Sequence, residues 1–234
     1  MTVRGILFDK DGTLIDFRAT WLAAYQGAAA ELAEIAGLQP TFAQELLARS
    51  GYDTAADSFT ETSPLLWATN ADIAQRWADE PELRHVADAF TISARHFADE
   101  QRYPPVPVGD LAALFTTLDR RGLALGLATM DTTEKAHGTL ATLGLAGRLA
   151  FVTGYDGGHG EKPEPGMVLG FCAATGLAPA EVLVVGDTAA DLLMARAAGA
   201  AMAVAVLTGA TPRTILDRHA DVVLESVMQL ESLL

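Results

Sequence analysis

The chain is poor in the features that mark several protein classes. It has one cysteine, Cys172, so an internal disulfide is excluded, and this thiol, set in an apolar helical run, reads as core filling. Lysine is nearly as scarce, with only Lys10, Lys135 and Lys162. Basic residues number 16 against 30 acidic ones, a formal charge of −14. That balance excludes a general affinity for nucleic acid or anionic membrane, which both require basic patches. No apolar run approaches the roughly 20 residues of a membrane span. No basic stretch with a hydrophobic run and cleavage site precedes the first strand-like segment, Val3 to Phe8, so a cytoplasmic location is expected. Disorder is excluded as well, because half the residues are hydrophobic and only 20% are charged.

What is present divides into two patterns. From Asp110 onward, short apolar runs alternate with helical stretches. Strands are expected at Leu123–Ala128, Phe151–Thr153, Val182–Val185, Ala201–Leu207 and Asp221–Leu224, with helices near 132–143, 165–175 and 189–198. Continuous rather than alternating hydrophobicity in the runs predicts a parallel sheet covered by helices, an α/β core. From Asp16 to Tyr103 the patterns are helical, as in Trp21 to Ala36 and Ile73 to Trp77, and no buried-strand run interrupts them. Pro104 to Gly109 is too proline-rich for a helix and suits a semi-rigid linker. The expected division is a core of residues 1–15 and 104–234, with an all-helical module of residues 16–103 inserted after the first strand.

Four polar signals follow predicted strands, at the edge where open α/β sheets bind ligands. Asp9-Lys10-Asp11-Gly12-Thr13 ends the first strand. Two carboxylates so spaced can divide labour, one attacking phosphorus and ligating a metal, the other serving as acid and base. Gly12 permits a tight turn, and the Thr13 hydroxyl can receive phosphate oxygens. The plainer reading is an Asp-Gly turn. Thr129, at the end of Leu123–Ala128, can donate a hydroxyl to phosphate. Lys162 is followed by Pro163 and Pro165 in a loop before a helix, although a surface lysine is the usual case. In Gly186-Asp187-Thr188-Ala189-Ala190-Asp191, two carboxylates one helical turn apart can reach one place. Such carboxylates suit magnesium; the bland alternative makes Asp187 a helix cap and leaves Asp191 in solvent.

In this order the four motifs resemble those of the haloacid dehalogenase-like (HAD) superfamily, and the inserted module matches the position of that family's small helical cap. The resemblance implies a Rossmann-like core and a Mg²⁺-dependent phosphatase acting on a small phosphorylated metabolite, as a monomer or homodimer. Asp9 would be the nucleophile that forms an aspartyl-phosphate, and Asp11 the acid and base. Asp9, the backbone carbonyl of Asp11 and Asp187 would hold the metal, with Asp191 a ligand or a support. Thr129 and Lys162 would bind the phosphoryl group, with Gly12, Thr13 and Met130 lining the substrate. One departure stands out: Met130 follows Thr129 where the family often has Asn. Lys10 is a variation the family allows, and it should point away from the metal if its backbone continues the strand.

Other chemistries occur on this fold. A dehalogenase lacks the second carboxylate, and a phosphonatase needs a cap lysine, which residues 16–103 do not contain. A phosphomutase or other phosphotransferase, and a non-catalytic binding protein on the same fold, remain as alternatives. The segment after Asp9 looks most like phosphoglycolate phosphatases. Arg18, a few residues beyond Thr13, is the expected contact for a substrate carboxylate, with a surface ion pair as its ordinary alternative. His159 is expected to be an exposed loop residue, and His85 and His96 to lie on the surface of the inserted module.

Overall fold

Strand β1 (Gly5–Phe8) is buried at all of its positions. The structure, a computed structural model, describes residues 3–60 and 62–234. One unit runs through Phe17 and again from Pro105 to Leu234, and a second from Arg18 to Pro104.

The second unit begins with a π-helical turn, Arg18–Leu22. It continues through α1 (Ala23–Ile35), α2 (Thr41–Arg49), β2 (Tyr52–Asp53), β3 (Ser58–Phe59), α3 (Pro64–Trp67), α4 (Asn70–Ala78) and α5 (Ala89–Ala98). Helix α1 buries Ala24, Tyr25, Ala28, Ala29, Leu32 and Ala33, an apolar stripe at helical spacing. It packs on α2 and α5, and α4 packs on α5. Tyr25, Trp77 and Phe97 meet edge to face, with ring centroids 5.2–6.4 Å apart. The insert is thus helical, apart from the antiparallel β2–β3 ribbon, in which Tyr52 pairs with Phe59. Two residues per strand carry no readable period.

His96 departs from its expected surface position. It shares the buried face of α5 with Ala89, Ile92, Ser93 and Phe97. Its ring nitrogens are held by Tyr103 Oη at 3.0 Å and Glu31 Oε2 at 2.7 Å, so a polar ring is tolerated inside because both nitrogens are partnered. His85 is exposed.

In the first unit α6 (Leu111–Arg120) leads to β4 (Ala124–Ala128), α7 (Thr133–Thr142) and β5 (Phe151–Thr153). Then come α8 (Gly166–Thr175), β6 (Val182–Gly186), α9 (Ala189–Ala198), β7 (Met202–Val206), the short α10 (Arg213–Leu216) and β8 (Val222–Leu224). The sheet order is β5-β4-β1-β6-β7-β8, and the pairs are parallel. Side chains alternate between two apolar layers. Ile6, Phe8, Leu125, Leu127, Leu183 and Val185 face α6 and α7 through Leu114, Phe115, Leu118 and Leu140. Leu7, Ala128, Val182 and Val184 join Met167, Phe171, Leu192 and Met194 of α8 and α9. Cys172 belongs to this second layer, as core filling requires.

The proline-rich stretch is more than a linker. Asp16 N–H donates to Val106 O at 2.8 Å and Val108 N–H to Leu14 O at 3.1 Å, with an antiparallel bridge between Ile15 and Pro107. The outgoing and returning segments therefore lie paired. His159 also differs from expectation. It is half-buried, edge-on to Phe151 with centroids 5.2 Å apart, and close to Gly170, where an added Cβ would come within 2.5 Å of its Nδ1.

Candidate active site

Asp9, Thr129 and Asp187 each come directly after a strand of one parallel sheet, β1, β4 and β6. Parallel strands share one carboxyl edge, so these side chains gather there. Asp9 leaves β1 still bonded to its neighbour, with its N–H donating to Val185 O at 2.8 Å. Thr129 N–H likewise donates to Thr153 O at 3.0 Å. Lys162 reaches the same edge from the loop between β5 and α8, its Nζ 2.5 Å from Asp9 Oδ1 and 2.6 Å from Asp191 Oδ1.

Local sequence explains how Asp191 gets there. Thr188 caps α9 by accepting the Asp191 N–H at 3.3 Å, and Asp191 Oδ2 takes the Thr188 N–H at 3.1 Å and its hydroxyl at 2.6 Å. This reciprocal box fixes the carboxylate at the helix start and leaves Oδ1 for Lys162. The cap is thus Thr188 rather than Asp187, and Asp191 is 1% exposed rather than solvated.

Asp9, Asp187 and Asp191 are all buried, and each offers a carboxylate oxygen within 4.8 Å of the others'. Burial pushes the Asp9 carboxyl up to about 7, against the pull of Lys162 and with help from the charges of Asp191 and Asp11. Burial, followed by repulsion from Asp9 and Asp191, raises Asp187 well above the carboxylate range. One lysine does not neutralise three carboxylates. Asp187 Oδ1 is buried without a hydrogen-bond partner, an arrangement that ordinarily costs free energy. An oxygen-only donor set with excess negative charge and an orphaned oxygen suits a hard divalent cation.

Two glycines make room for Asp187. A Cβ on Gly12, which has φ of 78°, would lie 2.5 Å from the Asp187 carboxylate, and one on Gly209 would lie 1.8 Å from Oδ2. Thr208 donates its hydroxyl to Gly12 O at 2.7 Å, tying the loop after β7 to the turn after β1. Thr208 and Gly209 were absent from the motif reading. They follow the predicted strand Ala201–Leu207, so the rule that singles out Asp9, Thr129 and Asp187 reaches them too.

The remaining candidates sit as follows. Thr13 is fully buried, and its hydroxyl has no hydrogen-bond partner. Met130 is half-buried beside Thr129. The Asp11 carboxylate stands outside the three-carboxylate group and lies 3.2 Å from Lys10 Nζ. Because β1 ends at Phe8, strand alternation does not govern Lys10, which turns to Asp11 and Asp131 and is 2% exposed. Arg18 belongs to the second unit, where its guanidinium pairs with Asp57.

The profile of the haloacid dehalogenase-like hydrolases matches residues 3–199. Over 205 residues the chain is 30% identical to a phosphoglycolate phosphatase of Escherichia coli K12, covering 84% of this chain and 79% of that protein. A phosphoglycolate phosphatase of Yersinia pseudotuberculosis is 32% identical over 203 residues, covering 84% and 78%. Among solved structures, a predicted phosphoglycolate phosphatase from Haemophilus somnus superimposes with a TM-score of 0.72 at 18% identity, covering 100% of this chain and 98% of the other. The chain belongs to the haloacid dehalogenase-like hydrolase family. Within it, this protein is a phosphoric monoester hydrolase, similar in sequence to phosphoglycolate phosphatases. Among the described residues, no helix is long and apolar enough to cross a membrane.

Proposed function

We propose that this chain is a Mg²⁺-dependent phosphatase that hydrolyses a small phosphomonoester through an aspartyl-phosphate at Asp9, and that phosphoglycolate is the leading substrate. The observation that carries the reading is the buried group of Asp9, Asp187 and Asp191 with Lys162 seated against it. Asp9 forms a bond to phosphorus while the bond from phosphorus to the alcohol oxygen breaks, and Asp11 delivers a proton to that oxygen. Asp11 then takes a proton from water, whose oxygen attacks phosphorus and frees Asp9 and inorganic phosphate. Lys162 and Thr129 hold the phosphoryl oxygens as charge spreads over them. Mg²⁺, held by Asp9, Asp187 and the Asp11 carbonyl with Asp191 in support, would supply the positive charge that lets two carboxylates and a phosphate share one site.

The insert is the unit we assign to substrate choice, with Arg18 as the contact for a substrate carboxylate. Asp57 holds its guanidinium, and the Tyr52 hydroxyl donates to the same carboxylate. A bound carboxylate would therefore compete with Asp57 for the arginine fork. The test is phosphate release across a panel of phosphomonoesters that includes phosphoglycolate, with Mg²⁺ and with excess chelator. Release that requires Mg²⁺ and is fastest on phosphoglycolate is expected. Silence across the whole panel would refute the phosphatase reading, and a preference for substrates without a carboxylate would refute the substrate alone.

A further inference from the structure

The loops after β1 and β4 lie on neighbouring strands, and one ion pair spans them. Lys10 Nζ is 2.9 Å from Asp131 Oδ2, with 3% of the lysine side chain and 13% of the aspartate side chain exposed. Asp131 is otherwise tied to its own loop and to the loop after β5, with Lys135 Nζ 3.9 Å from its Oδ1. Its Oδ1 accepts the Thr132 N–H at 2.9 Å, its carbonyl accepts the Tyr155 N–H at 3.1 Å, and its N–H donates to Thr129 Oγ1 at 3.1 Å. The last bond matters for chemistry. A hydroxyl has one proton to give and two lone pairs to receive with. Since the Thr129 oxygen already accepts from Asp131, its proton is directed elsewhere. The Met130 side chain, between the two, brings no hydrogen-bond donor, so the side-chain tie from the β1 side runs through Asp131.

We propose that Lys10, acting through Asp131, is a positioning residue that aims the Thr129 hydroxyl at the transferring phosphoryl group; this rests on the phosphatase reading above. A buried cation serves this purpose better than a neutral donor. Its removal leaves Asp131 with only the more distant and more exposed Lys135, 3.9 Å from Oδ1, as a charge partner in a poorly solvated place, and the loop must shift to restore solvation. Outer partners that orient metal-binding side chains typically influence activity by about 10- to 100-fold, and a loss on that scale is expected for a pair that orients a phosphoryl-binding hydroxyl.

The experiment compares wild type with Lys10→Met, Asp131→Asn, Thr129→Val and the double variant Lys10→Met/Thr129→Val. For each, kcat and KM on an aryl phosphate and inhibition by inorganic phosphate are measured with Mg²⁺, alongside a thermal melt. Lys10→Met and Asp131→Asn should each lower kcat/KM by about 10- to 100-fold and weaken phosphate inhibition. In the Thr129→Val background, Lys10→Met should add little. Asp131→Asn leaves the contact of Lys10 with Asp11 in place, so a silent Asp131→Asn beside an impaired Lys10→Met would assign the effect to Asp11 and overturn the proposal. Full additivity of Lys10→Met with Thr129→Val would also overturn it. If Lys10→Met fails to fold, Asp131→Asn alone and combined with Thr129→Val decides by the same criteria. Wild type that releases no phosphate would remove both the phosphatase reading and this inference, whereas active wild type with unimpaired variants removes this inference alone.

Discussion

At the edge of the sheet Lys162 sits between Asp9 and Asp191 with 3% of its side chain exposed. In the insert Arg49 reaches Glu80 and Glu82 with 40% of its side chain in solvent. Both are cations flanked by acids, yet Asp9 beside Lys162 and Glu82 beside Arg49 shift in opposite directions. Burial raises Asp9 to about 7 and lifts Asp187. In the insert, hydrogen bonds from His96, Tyr52 and Arg49 hold Glu31, Asp57 and Glu82 below their ordinary range. Ion pairs in water settle their partners, whereas the paired carboxylates at the sheet edge remain short of positive charge. Only the second arrangement gives a reason to bind a cation and an anion together.

The sharpest way to test that contrast is to remove a charge at the sheet edge. Asp9→Asn should cut turnover by roughly 10⁴ or more, the scale on which loss of a nucleophile acts, with the fold intact by circular dichroism. Residual activity near wild type would mean that Asp9 is not the attacking group. Lys162→Met comes next. Breaking a buried pair from one side costs about 3–5 kcal/mol, and losing a donor to the phosphoryl group costs about 10²–10³ in kcat. Denaturant melts and phosphate release measure the two losses separately.

The opposed shifts also predict opposed pH responses. Asp9, raised in the folded state, binds its proton more tightly there than in the unfolded chain. Metal-free protein should therefore lose stability as pH rises from about 4 to about 7, by a few kcal/mol at most. Asp9→Asn, or added Mg²⁺, should flatten that slope. Glu31, Asp57 and Glu82 act in reverse: their contribution is present above the ordinary carboxylate pKa of about 4 and disappears as pH falls through their lowered values. Melting temperatures from pH 3 to pH 8 in chelator and in Mg²⁺ separate the two. A metal-free stability that rises steadily between about pH 4 and pH 7 would contradict the assigned direction for Asp9.

The two smallest effects sharpen the comparison inside the insert. Arg18→Ala should weaken phosphoglycolate about tenfold relative to a neutral aryl phosphate, as expected for one lost charged hydrogen bond. Equal losses on both would place selection elsewhere. Arg49→Ala should change stability by no more than about 1 kcal/mol and leave kcat/KM unaltered. A larger loss there would erase the distinction between the two kinds of pair.

The sheet edge was legible because buried strands leave continuous apolar runs, and the first polar residue after each run marks the edge. Asp9, Thr129 and Asp187 were found that way, and Thr188 with Asp191 carries a readable capping pattern. Contacts that join distant segments leave no such trace. Lys10 meets Asp131 and Gly209 meets Asp187 only because β1, β4, β6 and β7 pair in the order they do. The π-turn at Arg18–Leu22 and the ribbon of Tyr52 and Phe59 are too short to display a period. His96 was recoverable, since Ile92, Ser93, His96 and Phe97 follow the spacing of one helix face; reading histidine as a surface residue type obscured it.

The pairing of residues 14–16 with 106–108 has a consequence for how the chain tolerates change. Whatever lies between Phe17 and Pro105 is, for the sheet, a loop whose two ends are already fastened together. Closing a flexible loop costs entropy that grows only with the logarithm of its length, so doubling the inserted segment adds about 0.6 kcal/mol. The sheet and its carboxylates are thus nearly indifferent to how much chain is spliced in at this point. Length and sequence can be exchanged there while the register of β1 against β4 and β6 stays the same.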